Sequence, residues 1–184
     1  MKKLLVGGLV ALTAVAMIVT VALAHNNGRG KSLKAHLDGY QEVPLAISTT
    51  GRGDFKAKVK GQSIEFRLRY SDLSSPVKFA HIHFGREGVA GGVIAFLCGG
   101  GGKPACPNSG EVTGTIVPAD VIGPGEPGPT DQGIDPGEFD EVVRALKADA
   151  VYANVHTDMF GAGEIRGQVD HGHHRGDRKG HEKD

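Results

Sequence analysis

Residues 54–70 read DFKAKVKGQSIEFRLRY, and this stretch decides the fold class. Phe55, Ala57 and Val59 alternate with Asp54, Lys56, Lys58 and Lys60. After Gly61-Gln62-Ser63 the pattern resumes: Ile64, Phe66, Leu68 and Tyr70 alternate with Glu65, Arg67 and Arg69. A period of two sends neighbouring side chains to opposite faces, so each half is a strand with one apolar and one wet face. On the N-terminal side, Leu33, Ala35 and Leu37 alternate with Lys34, His36 and Asp38. On the C-terminal side, segments 77–84, 92–97, 111–116, 150–156 and 163–169 are further strand candidates, separated by Gly and Pro clusters. Short strands in this number, each with one buried face, predict an all-β antiparallel sandwich or barrel.

One helix interrupts the series. Asp135 is a cap, Pro136 suits a first turn, and Glu138 stands three residues after the cap. Phe139, Val142, Val143 and Leu146 then follow helical spacing. The expectation is a helix over 136–148 that covers one end of the sandwich, preceded by a Pro- and Gly-rich surface loop over 117–135.

The ends of the chain have a different character. Met1-Lys2-Lys3 is a positive start, residues 4–24 carry no charge, and Ala22-Leu23-Ala24 has the form of a cleavage site. Residues 1–24 therefore read as a signal peptide, with an uncleaved membrane anchor as the alternative. Residues 25–31 read as a flexible leader and 32–169 as one domain. Residues 170–184, DHGHHRGDRKGHEKD, contain no apolar side chain and read as a disordered His-rich tail. His171, His173, His174 and His181 would bind metal weakly there. Cleavage after Ala24 would also expose His25 as an amine–imidazole chelate.

Charge and composition narrow the function classes. Lys plus Arg is 21 and Asp plus Glu is 21, so the basic surplus that nucleic acid binding needs is missing. Hydrophobic residues are 39% and charged residues 23%, which suits a globular domain. Gly is 29 of 184 without a three-residue period, which excludes collagen. Cys98 and Cys106 are the only cysteines and flank a glycine-rich loop. In an exported chain they read as a disulfide, with a two-thiolate metal site as the alternative. Neither cysteine has a base nearby in sequence, and neither a G-x-S-x-G elbow nor a phosphate loop occurs.

The chemistry concentrates in Phe79-Ala80-His81-Ile82-His83-Phe84 and Val151-Tyr152-Ala153-Asn154-Val155-His156. If Ala80 and Ile82 point inward, His81 and His83 share the outer, wet face, about 6.6 Å apart along the strand. In the second segment Tyr152, Asn154 and His156 are outward by the same parity. If the two strands are neighbours, three imidazoles converge on one cation, with nitrogens within about 4 Å of each other. Such ligation suits copper, or zinc as the alternative, rather than Mg or Ca. Glu164 and His36 are candidates for a fourth ligand or an outer acceptor. Arg166 would steer an anion or pair with Glu164.

These segments also carry a resemblance. Leu37-Asp38-Gly39-Tyr40-Gln41-Glu42-Val43-Pro44, Ala80-His81-Ile82-His83-Phe84-Gly85, Tyr152-Ala153-Asn154-Val155-His156-Thr157 and Gly163-Glu164-Ile165-Arg166-Gly167-Gln168 occur in order. Together they resemble the CHRD domain, the module named after chordin and found in bacterial exported proteins. This implies a periplasmic or extracellular location and allows an extracellular protein partner. A weaker resemblance is to the Cu/Zn superoxide dismutase sandwich, which implies Greek-key connectivity and places His81, His83, His156 and Arg166 in the order of that copper site. The chain has no histidine between His83 and His156. A zinc subsite and a full dismutase ligand set are therefore not matched.

Three functions compete on these grounds. They are a metal-binding domain, an interaction module without metal, and a dismutase-like enzyme, the one plausible enzymatic reading.

Overall fold

A computed structural model describes residues 32–122 and 130–171. Eight strands form one antiparallel sheet: β1 (Leu33–Asp38), β2 (Arg52–Lys60), β3 (Ser63–Ser71), β4 (Val77–Phe84), β5 (Val93–Cys98), β6 (Gly110–Ile116), β7 (Val151–Thr157) and β8 (Ile165–Gln168). Their order is β5-β4-β7-β8-β1-β2-β3-β6. β3 thus pairs with β6 over the intervening β4–β5 hairpin, and β4 pairs with β7 across β5, β6 and the helix between them, which is Greek-key connectivity. The edge strands β5 and β6 approach each other, so the sheet nearly closes into a barrel. All eight strand expectations hold, with ends shifted by a residue or two.

Alternation builds the core. Leu33, Leu37, Phe55, Ile64, Leu68, Ala80, Ile82, Val151, Ala153, Val155 and Ile165 point into one continuous apolar cluster. Each of the Leu, Ile, Val and Phe side chains contributes about 1.5–3 kcal/mol through removal from water. Opposite them, the outer faces of β2 and β3 are charged and exposed, as in the pair of Lys60 with Glu65.

Helix α1 spans Phe139–Lys147, three residues later than its expected start. Pro136 and Gly137 form a turn instead, in which Glu138 N–H donates to the Asp135 carbonyl and Gly137 has φ of +81°. That angle is incompatible with a helical first turn. Half of the expected cap survives, because the Glu138 carboxylate accepts from the Asp135 N–H at 2.9 Å. Phe139, Val142, Ala145 and Leu146 are buried in the barrel core. Gln62, in the β2–β3 turn, donates to Asp140 on the helix, which places α1 at that end of the barrel. The 117–135 stretch is not wholly a surface loop, since Val121 and Ile134 are buried and anchor it.

Backbone pairing continues one residue beyond 169. Asp170, expected in the tail, pairs with Lys34 through two backbone hydrogen bonds of 2.9 Å. His171 follows, half-buried. The expected signal peptide, the leader with His25, and His173, His174 and His181 lie outside the described residues. Among the described residues no helix is long and apolar enough to cross a membrane.

Cys98 and Cys106 form a disulfide. It closes the excursion that leaves β5 and returns toward β6, where no ladder joins the two strands. With a separation of eight residues, the constraint on the unfolded chain is worth about 2.5 kcal/mol. The double variant Cys98→Ala/Cys106→Ala should lose about that much unfolding free energy. Urea denaturation of both proteins measures it, and an unchanged midpoint contradicts a stabilising role for the bridge.

Candidate metal centre

Three adjacent strands carry the site. In register, β4 faces β7 with Phe79 opposite His156, His81 opposite Asn154 and His83 opposite Tyr152. β7 then faces β8 with Asn154 opposite Arg166 and Tyr152 opposite Gln168. All of these side chains lie on the side away from the barrel core, as parity predicts. The expectation of a wet face is wrong, however. His81 is 5% exposed, and His83 and His156 are 6% exposed. The reason is tertiary: the loops over 39–51, 85–92 and 158–164 fold across this outer face.

The histidine nitrogens converge. One ring nitrogen from each of His81, His83 and His156 lies within 4.8 Å of the others. Three nitrogens bound at about 2.0–2.1 Å stand roughly 3.4 Å apart. The 4.8 Å spacing exceeds both that value and the 4 Å expected from sequence, so ligation would require the rings to close in by about 1.4 Å. Among the described residues no Asp, Glu or Cys joins this group.

Backbone carbonyls set the orientation of two rings. His83 Nδ1 lies 3.1 Å from the Gly91 carbonyl, and His156 Nδ1 lies 3.1 Å from the Gly161 carbonyl. A carbonyl only accepts, so each Nδ1 carries the hydrogen and each Nε2 presents a bare lone pair. Both Nε2 atoms, and both nitrogens of His81, are inaccessible to water and have no hydrogen-bond partner. Buried polar atoms left in this state cost about 1–3 kcal/mol each. A single cation at the point of convergence would satisfy one nitrogen of each ring at once, so the donor set fits a metal. Gly91 has a steric role here: a Cβ would lie 1.7 Å from the Phe84 carbonyl oxygen, so only glycine lets the loop fold back over His83.

Burial pushes His81 down to about 2, with repulsion from His156 and His83 adding to it. Burial also pushes His83 down, to about 3, against the opposing pull of the Gly91 carbonyl. His156 is lowered by burial and partly raised by the Gly161 carbonyl. All three are neutral at physiological pH, the form that binds metals.

The other sequence candidates are elsewhere. His36 is exposed on β1 beside Asp54 at 3.5 Å and is not in the group. Glu164 is buried but not a fourth ligand, because its carboxylate is already used. It accepts from Thr49 Oγ1 at 2.7 Å, and at 2.8 Å from each of Ser74 N–H, Ser74 Oγ and Thr157 Oγ1. Burial pushes its carboxyl up, but those hydrogen bonds outweigh burial and hold it below the usual range. The outer acceptors for the imidazoles are the Gly91 and Gly161 carbonyls instead.

Arg166, 2% exposed, makes no hydrogen bond to Glu164, whose carboxylate is held by Thr49, Ser74 and Thr157; it lines a cavity with Tyr40, Glu42 and Gln168. Its guanidinium lies 3.5 Å over the Tyr152 ring and donates to the Arg86 and Val89 carbonyls. Tyr152 in turn stacks on His83, with centroids 4.6 Å apart and planes within 5°.

Sequence reasoning did not identify several contributors. Phe79 and Phe96 pack on His81 with centroids at 4.9 and 4.3 Å. Parity gave a signal for Phe79, two residues before His81. Glu42 is buried near Asn154 and Arg166, and nothing local marks it. Burial pushes it up to about 7, against the pull of Arg166.

Three comparisons with known proteins bear on this arrangement. The family model described as the CHRD domain matches residues 33–169. No curated protein and no solved structure matches the chain.

The lowered histidines predict an acid-sensitive fold. Their folded values lie below the unfolded value near 6.5, so the unfolded chain takes up protons first as pH falls. The stability they contribute is present above about pH 6.5 and is lost below it, at up to about 1.4 kcal/mol per pH unit for each ring. Glu42 acts in the opposite direction, losing its contribution as pH rises from 4.5 toward 7. The unfolding free energy of the metal-free protein, from urea melts between pH 7.5 and 5, should therefore fall more steeply as pH drops than that of a His81→Leu/His83→Leu/His156→Leu variant. Identical slopes would contradict neutral burial of the triad.

Proposed function

Because the chain belongs to the CHRD domain family, whose domains are extracellular or periplasmic modules, we propose that it is an exported domain that binds a transition metal ion through His81, His83 and His156. Copper is favoured over zinc. The observation that carries this reading is the convergence of water-inaccessible nitrogens without partners from two strands distant in sequence. A solvated or purely structural histidine would have a hydrogen-bond partner on both nitrogens or access to water. Imidazole ligation without oxygen donors suits copper and zinc, and His81 packed between Phe79 and Phe96 suits a site closed to solvent. When bound, the ion would supply a positive centre that holds β4 and β7 together on their outer face.

A second reading, an extracellular protein-interaction module, draws on one observation. Tyr40, Leu45, Val89 and Met159 are exposed apolar side chains, and all four lie on the loops that cover the histidines. The dismutase reading gains nothing comparable, because Arg166 is buried and bound to carbonyls.

Thermal unfolding with and without metal separates the two readings. The background should carry Ala at His25, His171, His173, His174 and His181, so that only the domain reports. A ligand bound only to the native state at 100 times its Kd adds about 2.7 kcal/mol. The expected result is a rise in Tm with copper that disappears in a His81→Ala/His83→Ala/His156→Ala variant. No rise in either protein favours the interaction module.

A further inference from the structure

We propose that the three histidines are built for monovalent copper, Cu(I), held in trigonal geometry by His81, His83 and His156 alone. Phe79 and Phe96 close the fourth position that divalent ions need. The inference rests on the metal-binding reading above and specifies the ion that site selects.

The first argument is charge. Each ligand is a neutral imidazole, and no Asp, Glu or Cys among the described residues lies in the group. The two buried carboxylates nearby are outside the histidine group: Glu164 accepts from Thr49, Ser74 and Thr157, and Glu42 accepts from Asn154 at 3.4 Å through Oε2, leaving Oε1 without a partner. A cation at this point therefore keeps its whole charge in a dry environment. The cost of burying an ion grows with the square of its charge, so a divalent ion costs about four times as much as a monovalent one. Arg166 adds to this asymmetry. Its guanidinium stands directly behind the Tyr152 ring, which stacks on His83, and so places a second positive charge one ring away from the site.

The second argument is coordination number. Structural zinc sites close on four ligands, and catalytic ones complete the set with water. Cu(II) favours tetragonal arrangements with still more positions filled. Cu(I) has a filled d shell and accepts three donors without a further ligand. Here the Phe79 ring lies 4.9 Å from both the His81 and His156 rings, and the Phe96 ring lies 4.3 Å from His81. These apolar walls offer no donor, and the nitrogens between them are closed to water. Phe96 is itself backed by Gly100 and Gly101 of the disulfide-closed loop, where an added Cβ would lie 2.4 and 2.7 Å from the ring. The glycines of that loop thus pack directly against the half-buried ring from behind.

Competition titration tests the selectivity. The full chain would carry the same five alanine substitutions outside the domain. Cu(I) would be delivered anaerobically with ascorbate and competed against bicinchoninate, and Zn(II) would be competed against a chelating dye. We expect Cu(I) to bind about 1,000-fold more tightly than Zn(II), equivalent to about 4 kcal/mol. Phe96→Ala should narrow that ratio by raising Zn(II) affinity. X-ray absorption on the protein with Phe96 intact supplies a measurement independent of that variant's folding, and should show three nitrogen neighbours at about 2 Å and no oxygen. Zn(II) binding as tight as Cu(I), lost in the triple histidine variant, overturns the Cu(I) inference but keeps the metal site. A fourth oxygen neighbour does the same. Binding of neither ion above the triple variant overturns both.

Discussion

A strand has two faces, and on β4, β7 and β8 this chain buries both. The inner face is the ordinary one, an apolar layer continuous with the rest of the barrel. The outer face carries imidazoles, a phenol, an amide and a guanidinium, which cannot simply be covered with hydrocarbon. Burying such groups costs energy unless each finds a partner. The loops over 39–51, 85–92 and 158–164 supply most of these partners through backbone carbonyls and the side chains of Glu42 and Thr49. Glu42 Oε1, Asn154 Oδ1, Arg166 Nη1 and Gln168 Oε1 are left without partners, as are the histidine nitrogens; only the latter converge from three rings, the arrangement a cation would satisfy.

Most of the fold was legible in the chain. Period-two stripes such as Phe55-Ala57-Val59 and Ile64-Phe66-Leu68 report local geometry, and local geometry is what a short window of sequence encodes. Parity likewise placed His81, His83 and His156 on a common face. What the alternation could not report was the loop cover, because burial of that face depends on contacts far apart in sequence. The same limit explains Glu164. It has the outward parity of a ligand, yet Thr49, Ser74 and Thr157 reach it from three separate segments. Arg166 followed the same course: a charged residue beside a candidate metal site suggested attraction of anions, whereas the structure uses it as a clamp on the 86–89 loop. The helix start was misplaced for a local reason, since Asp135-Pro136 has the composition of a cap but Gly137 takes a turn conformation.

The electrostatics of the covered face are consistent with neutral rings. Burial lowers all three histidines, and the carbonyls of Gly91 and Gly161 hold two of them in the tautomer with Nε2 free. Glu42 is pushed the other way by burial, so its negative charge is weakened where it might have offset a cation. Tyr152 between His83 and Arg166 spaces the positive guanidinium from the imidazoles with an aromatic face that tolerates charge on either side.

Glu164 gives the arrangement a kinetic character. Its carboxylate ties the end of the 39–51 loop, the β3–β4 connection and the end of β7 into one knot beside the hairpin that carries the Gly161 carbonyl. None of these segments can lift without breaking charge-assisted hydrogen bonds shared with the others. Opening is therefore a cooperative local unfolding event rather than the fluctuation of a single loop. Anything lodged beneath would exchange on the timescale of that event, so residence time and affinity need not track one another.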